Sequence, residues 1–329
     1  MRVLITGATG FIGSRLVLRC LAKQYSVRAF GQENNAAELE NRRLIEKNGA
    51  DVIIGSVTDR EKVFKICSGI DWVFHLAAAQ HEANVPDQHF RDVNVNGTKN
   101  LLDGCVEAGV RRFIHGSTIG VYGESLEGNI DESFPLRPKN IYGVTKLEAE
   151  KLVQSYKSKL PSVIIRISET YGPGDRRLLK LFKAIKKNAF FMIGRGDNLH
   201  HLIFIDDLNE GLFQAAELDE AVGNIFVLAG ANPLTSNEMV NEIAKFFKTK
   251  IPRFHLPLSL ILLLACIMEG IFRPLRIQPP LHRRRIDFFR KSFYFSQEHV
   301  RKKLKFDPKI DFSEGVTKTA EWYQEMNLL

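Results

Sequence analysis

Met1-Arg2-Val3-Leu4-Ile5-Thr6-Gly7-Ala8-Thr9-Gly10-Phe11-Ile12-Gly13-Ser14 decides the reading of this chain. Val3 to Ile5 is a short apolar run of strand character, and Leu16, Val17, Cys20 and Leu21 then recur at helical spacing. Between them Gly7, Gly10 and Gly13 stand at a spacing of three. A buried strand, a glycine-rich turn and an amphipathic helix form the context that a dinucleotide-binding turn requires. Gly7 permits the tight turn, Gly10 lets the backbone approach a pyrophosphate, and Gly13 lets helix and strand pack closely. The helix N-terminus offers free N–H groups and a positive dipole end to the phosphates. The bland alternative is a glycine-rich turn with no ligand. The strand before it and the helix after it argue against that.

Outward from this turn, 329 residues are enough to bury a large core, and one α/β body with a smaller appended lobe is the natural organisation. The formal net charge is +8, and from Arg273 onward 13 basic residues stand against 7 acidic ones. Such an end suits an anionic ligand, an anionic membrane surface or plain solvation. No nucleic-acid motif accompanies it, so nucleic acid is set aside. Cys20, Cys67, Cys105 and Cys266 show no CxxC or metal-ligand spacing, so no metal is expected. Three of them fall in apolar helical patterns, which predicts buried, reduced thiols. With a core strand first and no signal peptide ahead of it, the expected location is cytoplasmic.

Ser26 to Phe30 reads as the second strand. Its end should carry an acid for the adenosine ribose, but Gly31 stands there, followed by Gln32 and Glu33. Glu33 would repel a 2′-phosphate and no Arg stands at that place, so NAD is expected and NADP is left open. Val52 to Gly55 is a third strand, and Thr58 is the expected N-cap of the helix that follows. Trp72 to Leu76 is a fourth, with small residues Ala77, Ala78 and Ala79 after it. His75 reads as a satisfied strand-end histidine. Asp92 opens a long helix, and Arg112 to His115 is a fifth strand leading into Ser117-Thr118 and Val121-Tyr122-Gly123.

Tyr142-Gly143-Val144-Thr145-Lys146 then sets Tyr and Lys at i and i+4, on one helix face. An ammonium beside a phenol favours the phenolate, which makes the Tyr a usable acid/base at neutral pH. The string alone arises easily by chance. Following a Ser/Thr-bearing strand end and a glycine turn, it is specific.

These elements resemble the extended short-chain dehydrogenases/reductases, in particular the NAD-dependent epimerase/dehydratase type. Later stretches fit the same pattern: Arg166-Ile167-Ser168-Glu169-Thr170-Tyr171-Gly172-Pro173-Gly174-Asp175, Phe204-Ile205-Asp206-Asp207-Leu208, and the tail Leu304-Lys305-Phe306-Asp307-Pro308 with Glu314-Gly315-Val316. The resemblance implies an α/β protein: a Rossmann-type doubly wound parallel sheet with a smaller mixed C-terminal substrate lobe. Residues 1–170 would form the NAD(P)-binding domain and 171–329 the lobe, partly interleaved. It implies Thr118, Tyr142 and Lys146 as the catalytic set. It implies cofactor contacts from Gly7, Thr9, Gly10, Phe11, Ile12 and Gly13, from Gln32, Ser56 and Val57, from Leu76, Ala77 and Ala78, and from Asn94, Tyr142 and Lys146. Asn94 would brace the backbone of the site. Gln80, Thr118, Glu169 and Arg176 would meet the substrate. A homodimer is implied too, pairing the helices of Asn94–Ala108 and Tyr142–Tyr156, with Leu101, Leu102, Leu152 and Val153 as its apolar surface.

The chain also departs from the family. Glu169 replaces an Asn that commonly touches a nucleotide-sugar, His200-His201 stands where Arg-Asp is common, and Ser56 replaces an acid near adenine. The two acids that follow the catalytic Thr in 4,6-dehydratases are here Ile119 and Gly120, which cannot move a proton; Glu124 and Glu169 are the acids that could reach in instead. Three functions compete. One is a nucleotide-sugar epimerase using Tyr, Lys and Thr for hydride-transfer chemistry. Another is a 3β-hydroxysteroid-type dehydrogenase or hydroxy-ketone reductase. The third is a non-catalytic NAD(P)-binding protein, against which Tyr142 and Lys146 both stand. Leu258 to Met268 is strongly apolar but short of the roughly 20 residues a bilayer span needs. It reads as a buried helix of the lobe, with a helix on the membrane surface as the alternative. Arg283-Arg284-Arg285 and Arg290-Lys291 after it could hold a diphosphate, face anionic lipid or lie solvated.

Overall fold

The structure is a computed structural model that describes residues 1–80, 85–123, 128–252, 254–272 and 286–329. Its first half alternates strand and helix: β1 (Arg2–Thr6), α1 (Phe11–Ala22), β2 (Ser26–Gly31), α2 (Ala36–Lys47), β3 (Asp51–Ile54), α3 (Arg60–Cys67), β4 (Trp72–His75), α4 (Asp87–Arg91), α5 (Gly97–Glu107), β5 (Arg112–Thr118), α6 (Ile141–Ser155) and β6 (Ser162–Ile167). The long helix expected from Asp92 starts earlier, at Asp87. Asp92–Asn96 forms a π-turn that joins α4 to α5. The cap of α3 is Asp59 rather than Thr58: its side chain accepts from Lys62 N–H, while Thr58 Oγ1 is engaged with Ser56.

Seven parallel strands form one sheet in the order β11-β6-β5-β4-β1-β2-β3, where β11 is Ile225–Leu228. Both faces are covered, which is why the central strands are buried along most of their length. Val3 and Ile5 pack into a layer with α1 and with α8 (Ile205–Glu217), while Leu4 packs into the opposite layer with α3, α5 and α6. Strand order reverses between β1 and β4, so the crevice for a ligand opens at the carboxyl ends of these strands.

The remaining strands are two-residue pieces. β7 (Thr170–Tyr171) pairs with β10 (Ile203–Phe204), β8 (Met192–Ile193) with β13 (His255–Leu256), and β9 (Leu199–His200) with β12 (Leu234–Thr235). A separate core joins α7 (Leu179–Lys186), α9 (Ser236–Phe247) and the C-terminal helix Phe312–Glu325. The two halves are not segregated, because β11 comes from the second half and completes the sheet against β6.

The apolar stretch forms α10 (Leu258–Phe272). It is not the buried helix expected. Ile261, Ala265 and Glu269 are buried, but Leu260, Leu263, Leu264, Ile267 and Ile271 are exposed. No helix among the described residues is long and apolar enough to cross a membrane. Arg283-Arg284-Arg285 and Glu124 lie outside the described residues. Cys20, Cys67 and Cys105 are buried free thiols, and Cys266 is exposed on α10.

Candidate active site

The carboxyl ends of β1, β4, β5 and β6 open onto one cleft of about 1260 Å³. A drug-sized ligand occupies roughly 300–1,000 Å³, so a dinucleotide leaves room for a second molecule.

The glycine turn forms one wall. Gly7 has φ +69°, and a Cβ there would lie 2.7 Å from Ala77 N. A Cβ on Gly13 would lie 2.1 Å from Gly7 O, so only glycine lets α1 start this close to β1. Gly10 caps α1 without a side-chain hydrogen bond, which leaves first-turn N–H groups facing the cleft. Gly7, Thr9, Gly10, Phe11, Ile12 and Gly13 all line it. Gln32, Ser56 and Val57 continue the wall on one side, and Leu76, Ala77 and Ala78 on the other.

The missing acid at the end of β2 has a steric cause. A Cβ on Gly31 would meet Thr9 Oγ1 at 2.5 Å, so the glycine turn occupies the space that an acidic side chain would need. The residues there that line the cleft are Gln32, Asn34, Asn35 and Glu38, with no cation among them to receive a 2′-phosphate. Glu33 is paired with Arg42 of α2. The cradle fits NAD.

Tyr142 and Thr118 line the floor. Asn140 caps α6 by accepting from Gly143 N–H at 2.8 Å, and a Cβ on Gly143 would lie 2.8 Å from Gly120 O. That close approach brings the first turn of α6 against the end of β5. Thr118 Oγ1 accepts from Gly120 N–H at 3.1 Å and is hydrogen-bonded to the Tyr142 phenol. Ser117, its neighbour, instead donates to Glu150 Oε1 at 2.5 Å.

Lys146 lies beneath the floor, 2% exposed, and is not part of the cleft wall. Its Nζ is 3.5 Å from His115 Nε2. Burial brings this ammonium down to about 8, with Glu150 opposing the change. The phenol behaves contrary to expectation. Burial pushes Tyr142 up to about 12, and the hydrogen bond with Thr118 opposes that rise. The expected depression by the lysine is absent because desolvation dominates and the ammonium is engaged with His115. His75 and His115 lie side by side, ring centroids 5.3 Å apart, both held neutral by burial and by the Lys146 charge. His75 bridges Thr6 and Thr98, each at 2.8 Å.

Asn94 does not reach the cleft either. Its side chain accepts from Ala79 N–H at 2.8 Å and donates to Ala79 O at 3.0 Å and Thr145 Oγ1 at 2.9 Å. It ties the backbone after β4 to α6, so it holds the wall rather than the ligand.

Beyond Tyr142 the cleft is lined by Gln80, Ser168, Glu169, Arg176 and Arg177. Ile167 pairs with Thr118 in the sheet, so Glu169 emerges on the same rim two residues later. Glu169 Oε2 is 3.0 Å from His200 Nδ1. Burial alone would raise its carboxyl; the His200 hydrogen bond, then the charges of His200, Arg177 and Lys291, bring it below the usual carboxylate value. Arg176 lines the cleft, yet its guanidinium pairs with Glu40 of α2. The importance of His200 and Arg177 was not foreseen. For His200 the one signal was its place in a motif that usually carries arginine.

Residues 3–229 match the sequence profile of the NAD dependent epimerase/dehydratase family, and the chain belongs to that family. Among individual relatives, it is 29% identical over 263 residues to N-acetyl-alpha-D-glucosaminyl-diphospho-ditrans,octacis-undecaprenol 4-epimerase of Escherichia coli O157:H7, covering 78% of this chain and 76% of that one. It is 26% identical to the mouse (Mus musculus) sterol-4-alpha-carboxylate 3-dehydrogenase, decarboxylating, over 98% of this chain and 91% of that one. Its fold matches UDP-glucuronic acid 4-epimerase from Bacillus cereus in complex with NAD, with a TM-score of 0.81, 24% identity and 99% of each chain covered.

Proposed function

We propose that this protein is an NAD-retaining epimerase of a diphosphate-linked sugar, with nucleotide-sugars as the first substrates to test. The observation that carries the reading is the lining beyond Tyr142: Gln80, Ser168, Glu169, Arg176 and Arg177 offer hydrogen bonds and charge to sugar hydroxyls and phosphates. Glu169, Arg176 and Arg177 already hold partners within the chain, so sugar hydroxyls and phosphates would add hydrogen bonds to this lining where sterol rings would add none. The names of the Escherichia coli and Bacillus cereus relatives, each a 4-epimerase of a diphosphate-linked sugar, support the same chemistry.

NAD in the glycine cradle supplies the hydride acceptor and donor. Tyr142 is the proton carrier: its phenol, held protonated at rest by burial, must first lose its proton to solvent, and the phenolate oxygen then takes the proton of the reacting hydroxyl and later returns it. Thr118 hydrogen-bonds the same substrate oxygen and orients it. Lys146, buried beneath the floor beside His115, is the cation available to stabilise the phenolate once it forms, and Asn94 keeps floor and wall in register. Epimerisation asks nothing further of the chain than room for the ketone to turn over. Dehydration needs another proton carrier after oxidation; Ile119 and Gly120 cannot serve, and Glu169 is a carboxylate of the cleft lining. The reading also takes the protein as a cytoplasmic homodimer paired through α5 and α6.

Purified protein should carry NAD and interconvert a pair of epimeric sugar diphosphates with no net change in NADH absorbance. A keto-deoxy product would transfer the reading to dehydration through Glu169. The exposed face of α10 and the near full-length match to the mouse sterol dehydrogenase favour a second reading, an oxidation of a hydroxysterol. Stoichiometric NADH release with such a sterol, and no sugar turnover, would establish it.

A further inference from the structure

α10 carries apolar residues on two sides. Ile261 and Ala265 face inward and pack with Ile286 and with Ile193, Leu256 and Leu258. Leu260, Leu263, Leu264, Ile267 and Ile271 stand on the other side, each between 42% and 58% exposed. At 3.6 residues per turn these five fall within an arc of about 100°, a stripe running the length of the helix. Phe254, 64% exposed, stands four residues before the helix begins. Half of the large apolar side chains exposed among the described residues are therefore gathered on one element and its approach. A monomeric soluble protein rarely shows so contiguous a patch without a partner.

We propose that α10 is a membrane-docking helix that lies in the plane of an anionic phospholipid surface. The helix is about 22 Å long at 1.5 Å per residue, too short to cross a hydrocarbon core of about 30 Å but suited to lie in the interface. Charge selects lipid over a second protein. The sequence that continues from Phe272 carries Arg273, Arg276, Arg283, Arg284 and Arg285 before its first acid, Asp287. An apolar stripe followed by cations without acids matches acyl chains beneath anionic headgroups.

The docking face is joined to the substrate end of the cleft. Ile286, packed under α10, is two residues from Phe288. The Phe288 ring stacks on His200 at 4.5 Å, its carbonyl accepts from Asn198 Nδ2 at 2.8 Å, and His200 holds Glu169 in the cleft wall. The docking face is thus coupled through Phe288 and His200 to the Glu169 wall of the cleft, and a substrate whose sugar or ring system is carried on a lipid is the class this coupling suits. The docking itself holds whichever substrate is turned over.

The test is co-sedimentation of the full chain with phosphatidylcholine vesicles, with and without phosphatidylglycerol, alongside the triple variant Leu263→Ser, Leu264→Ser, Ile267→Ser. These side chains are exposed, so thermal melting should be unchanged and serves as the folding control. The wild-type chain should bind anionic vesicles at least about tenfold more tightly than neutral ones and be released by salt, and the variant should lose at least about tenfold. Absence of vesicle binding, or a variant that binds as the wild type does, would overturn the proposal. So would a wild-type oligomer that the variant converts to monomer without any vesicle binding, since the stripe would then be a contact between copies.

Discussion

At the scale of single residues, the chemistry turns on a phenol that burial raises to about 12 and an ammonium that burial lowers to about 8. Tyr142→Phe should keep NAD binding and cost about 10²–10⁴ in turnover, the usual loss when a general acid/base is removed. Near wild-type turnover with the true substrate would refute its role. Lys146 gives a prediction about stability. Its ammonium is harder to hold folded than unfolded, so the folded chain carries that cost at pH below about 8 and is relieved of it as pH rises towards the unfolded value of about 10.5. Lys146→Met should therefore raise the melting temperature most near pH 7, with the gain fading between pH 8 and 10.5. A gain that stays constant across that range would show that charge is not its origin. Gly7, Gly10, Gly13, Tyr142 and Lys146 could be found in the sequence because backbone geometry and helical spacing are local. The direction of the Tyr142 shift could not, since it depends on how deeply β5 and α6 bury the pair. Glu169 and His200 meet across 31 positions, and nothing local announces that contact.

Among the elements, α6 is fastened to β6 by a buried ion pair. Arg166 Nη2 donates to Glu150 Oε2 at 2.9 Å and Nε to Oε1 at 3.1 Å, with both side chains 2% exposed. Glu150 also accepts from Ser117, and Arg166 donates to the Tyr122 hydroxyl at 2.8 Å. Glu150→Gln should destabilise by about 3–5 kcal/mol, because a buried guanidinium is left uncompensated. A urea midpoint that barely moves would contradict this. The Arg176–Glu40 pair bridges the loop after β7 to α2, and it is half exposed. Such a pair is worth about 1 kcal/mol or less, so Arg176→Ala should speed NAD release by about fivefold at most, measured by fluorescence of the bound nucleotide. No change would mean the bridge does not hold the cofactor in. Strand and helix order was legible here because the period changes from 2 to 3.6 along the first half. The exposure of α10 was not, because a helix apolar all round has no preferred inner face to read.

Across the whole molecule, distant motifs prove to be fasteners. Asp207 accepts from Lys309 N–H at 3.1 Å and Ile310 N–H at 3.0 Å, which clamps the tail to α8. Tyr171 lies where a Cβ on Gly315 would stand, 2.1 Å from its hydroxyl. The sequence could show that these stretches belong to one family but not that they touch. The dimer expectation loses part of its support, because Leu101, Leu102 and Val153 are buried in the core layer of α3, α5 and α6. Val106, exposed on α5, and the partly buried Leu152 remain for a partner. Sedimentation at micromolar concentration should still give a dimer that Val106→Glu weakens. A monomer at that concentration would remove the dimer from the reading.

β11 has a consequence for synthesis. The nucleotide-binding half leaves the ribosome first, but β6 has no outer neighbour until residues 225–228 emerge. Until then Ser162–Ile167, whose Val163, Ile164 and Ile165 are buried in the finished sheet, presents an unpaired edge. The nascent chain therefore carries an exposed edge during the interval between those two strands, and a cut at residue 170 would leave that edge uncovered.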